Sequence, residues 1–239
     1  MERSADNSIP LYAQVANQLR FDIENGRYKK GEKIPTEKEL CKIYEVSRIT
    51  VRNALDELAK EHLLTRKRGI GTFIAREKFQ RDISRGSSFT QICMENGQIP
   101  GAKVIKSLIE DANEADIAEL KLPEKSKVIV IERIRYADNI PVAIEISRFP
   151  ESYAFLLNEN LNDVSLISLL VEKYNISFTC CTKVIELVYS SYEMAKYLSL
   201  PDCYPLLYVF SLSCDNDGIP AHRSLQYVVG DKFKFYIIK

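Results

Sequence analysis

At 239 residues the chain exceeds the ~100–150 residues of a common single domain, so two cores are expected. Its 46% hydrophobic and 28% charged residues exclude a fibre or a disordered tail, and no apolar run approaches the ~18–20 residues of a bilayer span. The formal charge of +0 hides an asymmetry: residues 1–76 carry 15 basic against 11 acidic side chains, the remainder 18 against 22, so a phosphate-contacting face belongs in the first third.

Met1 to Asp6 leads into no signal-like apolar stretch, and a cytoplasmic protein is expected. Leu11, Val15, Leu19 and Ile23 then recur every four residues with Ala16 beside them. This predicts a helix that opens after Pro10 and ends near Asn25 and Gly26. Thr36 stands three residues before Glu39, the spacing of a capping box, and Leu40 and Ile43 supply the apolar face of a second helix reaching Tyr44. Glu45 and Val46 leave room only for a tight turn before Ser47 caps a third helix, whose buried face is Val51, Ala54, Leu55 and Leu58. Two helices joined this closely form a helix-turn-helix. Residues 63–66 and 72–75 read as a hairpin around Lys67, Arg68, Gly69, Ile70 and Gly71, a basic tip with two glycines.

Residues 77–86 are charged and lack apolar periodicity, so a linker is expected there, between a DNA-binding domain at 1–76 and a second domain at 87–239. In the second domain, strand-like segments at 127–136, 141–149, 182–189, 205–213 and 221–229 alternate with helical ones at 88–96, 113–120, 165–174 and 192–198. The fold class expected is α+β: a winged helix-turn-helix followed by a mixed α/β domain with a mainly antiparallel sheet. Residues 138–141 and 215–220 look like hairpin turns. The six cysteines show no metal-ligand spacing, so no metal and no cofactor is expected.

On the third helix Arg48 and Arg52 are four residues apart and share a face away from the apolar stripe. A guanidinium fork matches guanine O6 and N7 in the major groove of double-stranded DNA. Thr36, Lys38, Ser47 and Thr50 surround that face with groups suited to phosphate oxygens. Lys67, Arg68 and Gly69 at the hairpin tip suit the adjacent minor groove. These segments, with Pro10-Leu11-Tyr12 and Gly31 to Glu37, resemble the winged helix of the GntR family of bacterial regulators. The resemblance implies a homodimer on a near-palindromic operator. Many members carry arginine where this chain has Lys38, which keeps the charge and loses the fork.

In the second domain Ser88-Phe89-Thr90, Glu132 to Arg135, Ile140 to Glu145, Ser165-Leu166 and Gly230 to Phe233 resemble the UTRA effector domain of the HutC-type branch, whose fold is similar to chorismate lyase. Arg133 and Arg135, two apart on a strand, point to one side, and two guanidiniums held together call for an anion. A phosphate, as in a phosphorylated sugar, is the expected partner, with a carboxylate metabolite as the alternative. Phe89, Thr90, Ser165 and His222 complete the expected effector contacts, with Glu145 accepting from ligand hydroxyls or an amide, or else Glu132 or Glu145 pairing internally with the arginines. Where sugar-phosphate-sensing relatives carry a Glu and a Tyr on the last strand, this chain has His222 and Val228. No Ser/His/Asp set, metal spacing or Gly-rich phosphate loop points to an enzyme. The expectation is a ligand-responsive transcription regulator, a repressor, rather than a lyase or an architectural DNA-binding protein.

Overall fold

The computed structural model describes residues 9–61, 63–67, 69–75, 78–84 and 86–238. The chain divides into two compact units, Met1–Glu77 and Lys78–Lys239. In the first, α1 (Leu11–Glu24), α2 (Glu37–Tyr44) and α3 (Arg48–Lys60) precede a hairpin of β1 (Leu64–Lys67) and β2 (Gly71–Ile74). The expected apolar positions meet in one core: Val15, Leu19, Leu40, Val51, Leu55 and Leu58 are all buried there. Each such side chain contributes on the order of 1.5–3 kcal/mol. Thr36 closes the capping box of α2 with Glu39, and Glu45 turns out of that helix in the left-handed region. Only a residue or two then separates the helix end from Ser47, which caps α3 through the Thr50 amide. At Gly71 (φ 141°) an added Cβ would lie 2.4 Å from Cε of Lys33, where the Ile34 amide donates to the Thr72 carbonyl at 3.0 Å.

The second unit is built from β3 (Phe79–Asp82), α4 (Phe89–Glu95), β4 (Pro100–Asp111), α5 (Glu114–Glu119), β5 (Lys127–Ala137), β6 (Ile140–Pro150), α6 (Leu166–Tyr174), β7 (Thr179–Tyr189), α7 (Tyr192–Leu198), β8 (Pro205–Cys214), β9 (Pro220–Val229) and β10 (Phe233–Tyr236), with a 3-10 helix at Glu151–Asn158. Six strands form one antiparallel sheet in the order β4-β5-β6-β9-β8-β7. The β5–β6 hairpin turns through Asp138 (φ 49°) and Asn139 (φ 61°), the two left-handed positions of a type I′ turn, which suits the twist of the strands. On one face of the sheet Asp116 of α5, fully buried, accepts from Arg148 of β6 and Arg223 of β9. Arg148 also reaches Glu110 and Arg223 also reaches Glu119, so α5 is held by a completed ion network.

Two expectations need correction. Residues 77–86, taken as a linker, carry β3, which pairs in parallel with β10 and buries Phe79 and Arg81. Four residues with two charges are too few to register as a periodic strand, and the pairing partner lies about 150 residues away. The whole of β4 also went unmarked. It is an edge strand on β5 with few fully buried side chains, so its sequence lacks a clean alternation of apolar and polar residues. No helix among the described residues is long and apolar enough to cross a membrane.

Candidate functional site

The first candidate surface lies on α2 and α3. Arg48 and Arg52 project from α3 into solvent, their side chains 73% and 52% exposed. Both converge on one carboxylate: Glu37 Oε2 accepts from Arg48 Nε at 2.8 Å, and Glu37 Oε1 lies 3.6 Å from Arg52 Nε. The Arg48 hydrogen bond, working against partial burial, holds the Glu37 carboxyl below the usual carboxylate range. Glu37 was not among the expected residues; its signal was its place one residue inside the cap of α2, facing the first turn of α3. Thr36, Ser47 and Thr50 are more committed than expected. The Thr36 hydroxyl donates to Glu39 Oε2 at 2.8 Å and accepts from the Glu39 amide, and Ser47 Oγ and Thr50 Oγ1 share a 2.8 Å bond. Each still borders the exposed face beside Lys38. Gly69 lies exposed in the hairpin tip with φ 75° and open space around it. Arg68 and the side chain of Lys67 lie outside the described residues.

The second candidate is a cavity of about 90 Å³ in the second unit, where one water needs ~10–15 Å³. It brings together Phe89, Thr90, Arg133, Arg135, Glu145, Ser165 and His222, all seven residues expected at an effector site. The sheet makes this possible. Arg133 pairs with Glu145 across β5 and β6, and Glu145 with Gln226 across β6 and β9, so their side chains share one face. Val228, the other departure on β9, instead packs in an apolar cluster with Phe89, Ala143 and Val209.

The two arginines, equivalent in sequence, have different tasks. Arg133 Nη1 donates to the Val164 carbonyl at 3.0 Å and Nη2 to Glu145 Oε2 at 2.8 Å, which fixes it to the approach to α6 and to β6. Among the described residues Arg135 makes one hydrogen bond, from Nη2 to Thr90 Oγ1 at 3.1 Å, with its guanidinium 4.6 Å from the centre of the Phe89 ring. Its Nη1 stands 3.8 Å from Glu145 Oε2, and neither Nη1 nor Nε has a hydrogen-bond partner among the described residues. Burial pushes the Arg135 pKa down to about 10, against the pull of Glu145, so the group is still a cation at neutral pH. Burial would raise Glu145, but Arg133 and Arg135 override it and hold the carboxyl at about 2. Internal pairing is therefore what Glu145 does, while Glu132 takes no part in the cavity.

His222 stacks on Phe149 with ring centres 4.4 Å apart and shares a 3.2 Å hydrogen bond with Ser147 Oγ. Burial drives its pKa down to about 4, despite Glu145 nearby, so the imidazole is neutral. Arg81, Lys183, Ser211, Ser213, Ser224 and Gln226 also line the cavity and were missed. Their signal was legible: Ser211 and Ser213 on β8, and His222, Ser224 and Gln226 on β9, repeat polar residues at period two where a buried face is normally apolar. The lining sets four cations, Arg81, Arg133, Arg135 and Lys183, against the carboxylate of Glu145. Ser165 also caps α6, which directs that helix N-terminus at the cavity.

A winged helix-turn-helix with paired arginines on its exposed helix, followed by an antiparallel α+β unit around a cationic cavity, defines a two-part DNA-binding regulator. Residues 11–74 match the family model described as bacterial regulatory proteins, gntR family, and residues 95–234 match the UTRA domain. The protein belongs to the gntR family of transcriptional regulators, in the branch that carries a UTRA domain. It is 30% identical over 236 residues to the HTH-type transcriptional repressor NagR of Bacillus subtilis, covering 98% of this chain and 97% of that protein. It is 32% identical over 216 residues to a probable fructoselysine utilization operon transcriptional repressor of Escherichia coli, covering 90% and 88%. In fold it is similar to PhnF from Mycobacterium smegmatis, with a TM-score of 0.68 at 24% identity over 94% and 98% of the two chains.

Proposed function

We propose that this protein is a homodimeric repressor that binds a near-palindromic double-stranded operator and leaves it when a small anionic effector, a phosphorylated sugar, enters the cavity of the second unit. The observation that carries the reading is Arg135. Its side chain is 3% exposed, and two of its nitrogens have no hydrogen-bond partner among the described residues, while Thr90, Phe89 and Glu145 hold the guanidinium at the cavity. A buried cation with unsatisfied donors is costly unless an anion completes it. Thr90, the capped N-terminus of α6 at Ser165, and the neutral His222 then offer hydrogen bonds to the rest of the ligand. In the first unit Arg48 and Arg52 read bases, with Lys38, Thr36, Ser47, Thr50 and the tip at Lys67, Arg68 and Gly69 contacting the backbone and minor groove. One relative is named as a probable repressor of a fructoselysine utilization operon, which favours a sugar-based effector. Coupling between two such sites is typically ~1–3 kcal/mol.

The test is a thermal-shift panel of sugar phosphates, amino-sugar phosphates and carboxylates, followed by operator release measured with each compound that stabilises. A phosphorylated sugar should raise the melting temperature and loosen the operator complex, and Arg135→Met should remove both effects. Stabilisation by carboxylates alone would replace the phosphate with a carboxylate effector, and equal responses in the wild type and Arg135→Met would sink the assignment.

A further inference from the structure

We infer that Lys33 contacts a DNA phosphate from a seat built into the wing, beyond the residues placed on DNA above. The inference rests on the reading of α3 and the β1–β2 hairpin as the DNA-facing elements. Residues 31–34 run beside β2 as a third strand of that hairpin. The Gly31 amide donates to the Ile74 carbonyl at 3.0 Å, the Ile74 amide to the Glu32 carbonyl at 2.8 Å and the Ile34 amide to the Thr72 carbonyl at 3.0 Å, with Lys33 bridged to Phe73. The backbone of Lys33 is therefore fixed to the wing.

Its side chain is seated there as well. The Lys33 stem fills the space that a side chain at Gly71 would take: Nζ lies 3.2 Å and Cδ 3.4 Å from the position of an added Cβ. An ordinary exposed lysine loses rotamer freedom when it binds a partner. One that already lies along the wing loses less.

The charge is still available. Lys33 is exposed, and its ammonium makes no hydrogen bond or ion pair among the described residues. With Thr36 and Lys42 it lines an open groove of about 730 Å³ that also carries Glu32 and Glu39. Both carboxylates are turned to other donors. Glu32 Oε2 accepts from the Lys29 amide at 2.7 Å, and Glu39 Oε2 accepts from the Thr36 amide at 2.7 Å and the Thr36 hydroxyl at 2.8 Å. Glu39 feels the Lys33 charge without pairing with it.

Lys33 thus stands between the capped start of α2 at Thr36 and the wing at Gly71, two elements that the proposed complex sets against the DNA backbone. A phosphate passing between them would meet an ammonium that is ordered and not neutralised. Such a contact reads no base. It adds affinity and fixes the register of α3 in its groove.

Operator and random duplexes titrated with the full-length protein over a salt series provide the test. Each neutralised phosphate contributes about 0.9 to the slope of log affinity against log salt concentration. Lys33→Met keeps the stem and removes the charge. The slope should fall by about 0.9 for each protomer on the DNA, with affinity for both duplexes lowered by the same factor and the melting temperature unchanged. Lys33→Arg should restore the slope, while Lys60→Met, at the far end of α3, should keep the wild-type value. Arg48→Ala separates this contact from the reading helix, because it should lower the ratio of operator to random binding that Lys33→Met preserves. A wild-type slope in Lys33→Met, with operator preference lost in Arg48→Ala, would overturn the Lys33 contact and leave α3 standing. An equal fall in Lys33→Met and Lys60→Met would also overturn it, leaving only the diffuse positive charge of the unit. No change in either Lys33→Met or Arg48→Ala would overturn both readings.

Discussion

A pair of arginines marks the candidate surface in each unit, and the two pairs are held in opposite ways. Arg48 and Arg52 stand in solvent and share Glu37 across a surface ion pair. Such a pair contributes little and yields readily when a stronger anion arrives. Arg133 and Arg135 are 2% and 3% exposed and share Glu145 at the wall of the cavity, where removal of either sign leaves a buried charge stranded. The first arrangement suits a surface that must engage and release a polyanion. The second suits a cavity whose shape must exist before its ligand does.

Breaking the first arrangement should have the largest functional effect. Arg48→Ala is expected to abolish operator preference in a gel-shift assay, reducing specific binding to the non-specific level, with urea unfolding and effector-induced stabilisation unchanged. A variant that still prefers operator over random sequence would show that α3 is not the reading helix.

Breaking the second should instead appear as stability. Arg133→Met strips Glu145 of the cation hydrogen-bonded to it and frees the Val164 carbonyl, with an expected loss of ~3–5 kcal/mol in urea unfolding. Adding Glu145→Leu and Arg135→Met to it should recover much of the loss, because no buried charge of the three is then left unpaired. Additive losses in that triple variant would mean that the three groups are not coupled.

A pH titration sharpens the same contrast. The folded-state pKa of His222 lies near 4, below the ordinary ~6.5 of the unfolded imidazole. On acidification the unfolded chain gains a proton that the buried ring refuses, so stability falls from pH 6.5 towards pH 4 and is unaffected above. Glu145, held near 2 by the arginines, adds its own loss only below about pH 4.5. At pH 5 His222→Gln should therefore remove a penalty of about 2 kcal/mol relative to pH 7. An identical pH slope in wild type and variant would mean that His222 titrates normally.

The smallest effect belongs to Glu37→Gln. Stability should stay within a few tenths of a kcal/mol, since the pair lies at the surface. Non-specific DNA affinity should rise as a negative charge is lost, while the ratio of specific to non-specific binding falls two- to fivefold as Arg48 and Arg52 lose their shared anchor. A rise in that ratio would show that Glu37 restrains the arginines rather than orienting them.

The winged helix was legible because its information is local. Caps at Thr36 and Ser47, four-residue periodicity and glycine placement all act within a few residues, and the core formed where they pointed. In the second unit Arg133 and Arg135 on β5, Glu145 on β6 and His222 on β9 were also legible, because charged or polar side chains stand out on strands that are otherwise apolar. What stayed hidden were relationships between distant segments. Arg81 sits at Gln226 across 145 residues, and Lys183 reaches Ile83 across 100. Nor could sequence separate Arg133 from Arg135, since the difference lies in the Val164 carbonyl, which only the fold brings within reach.

The parallel pair of β3 and β10 has a consequence for biosynthesis. Leu11–Ile74 can complete its core as soon as it leaves the ribosome, because that core draws only on residues between Val15 and Ile74. The strand that follows cannot: Phe79–Asp82 must wait, with Arg81 and Phe79 uncovered, until Phe233–Tyr236 has been made. A nascent chain therefore holds a finished helix-turn-helix core before the strand beside its cavity has a partner.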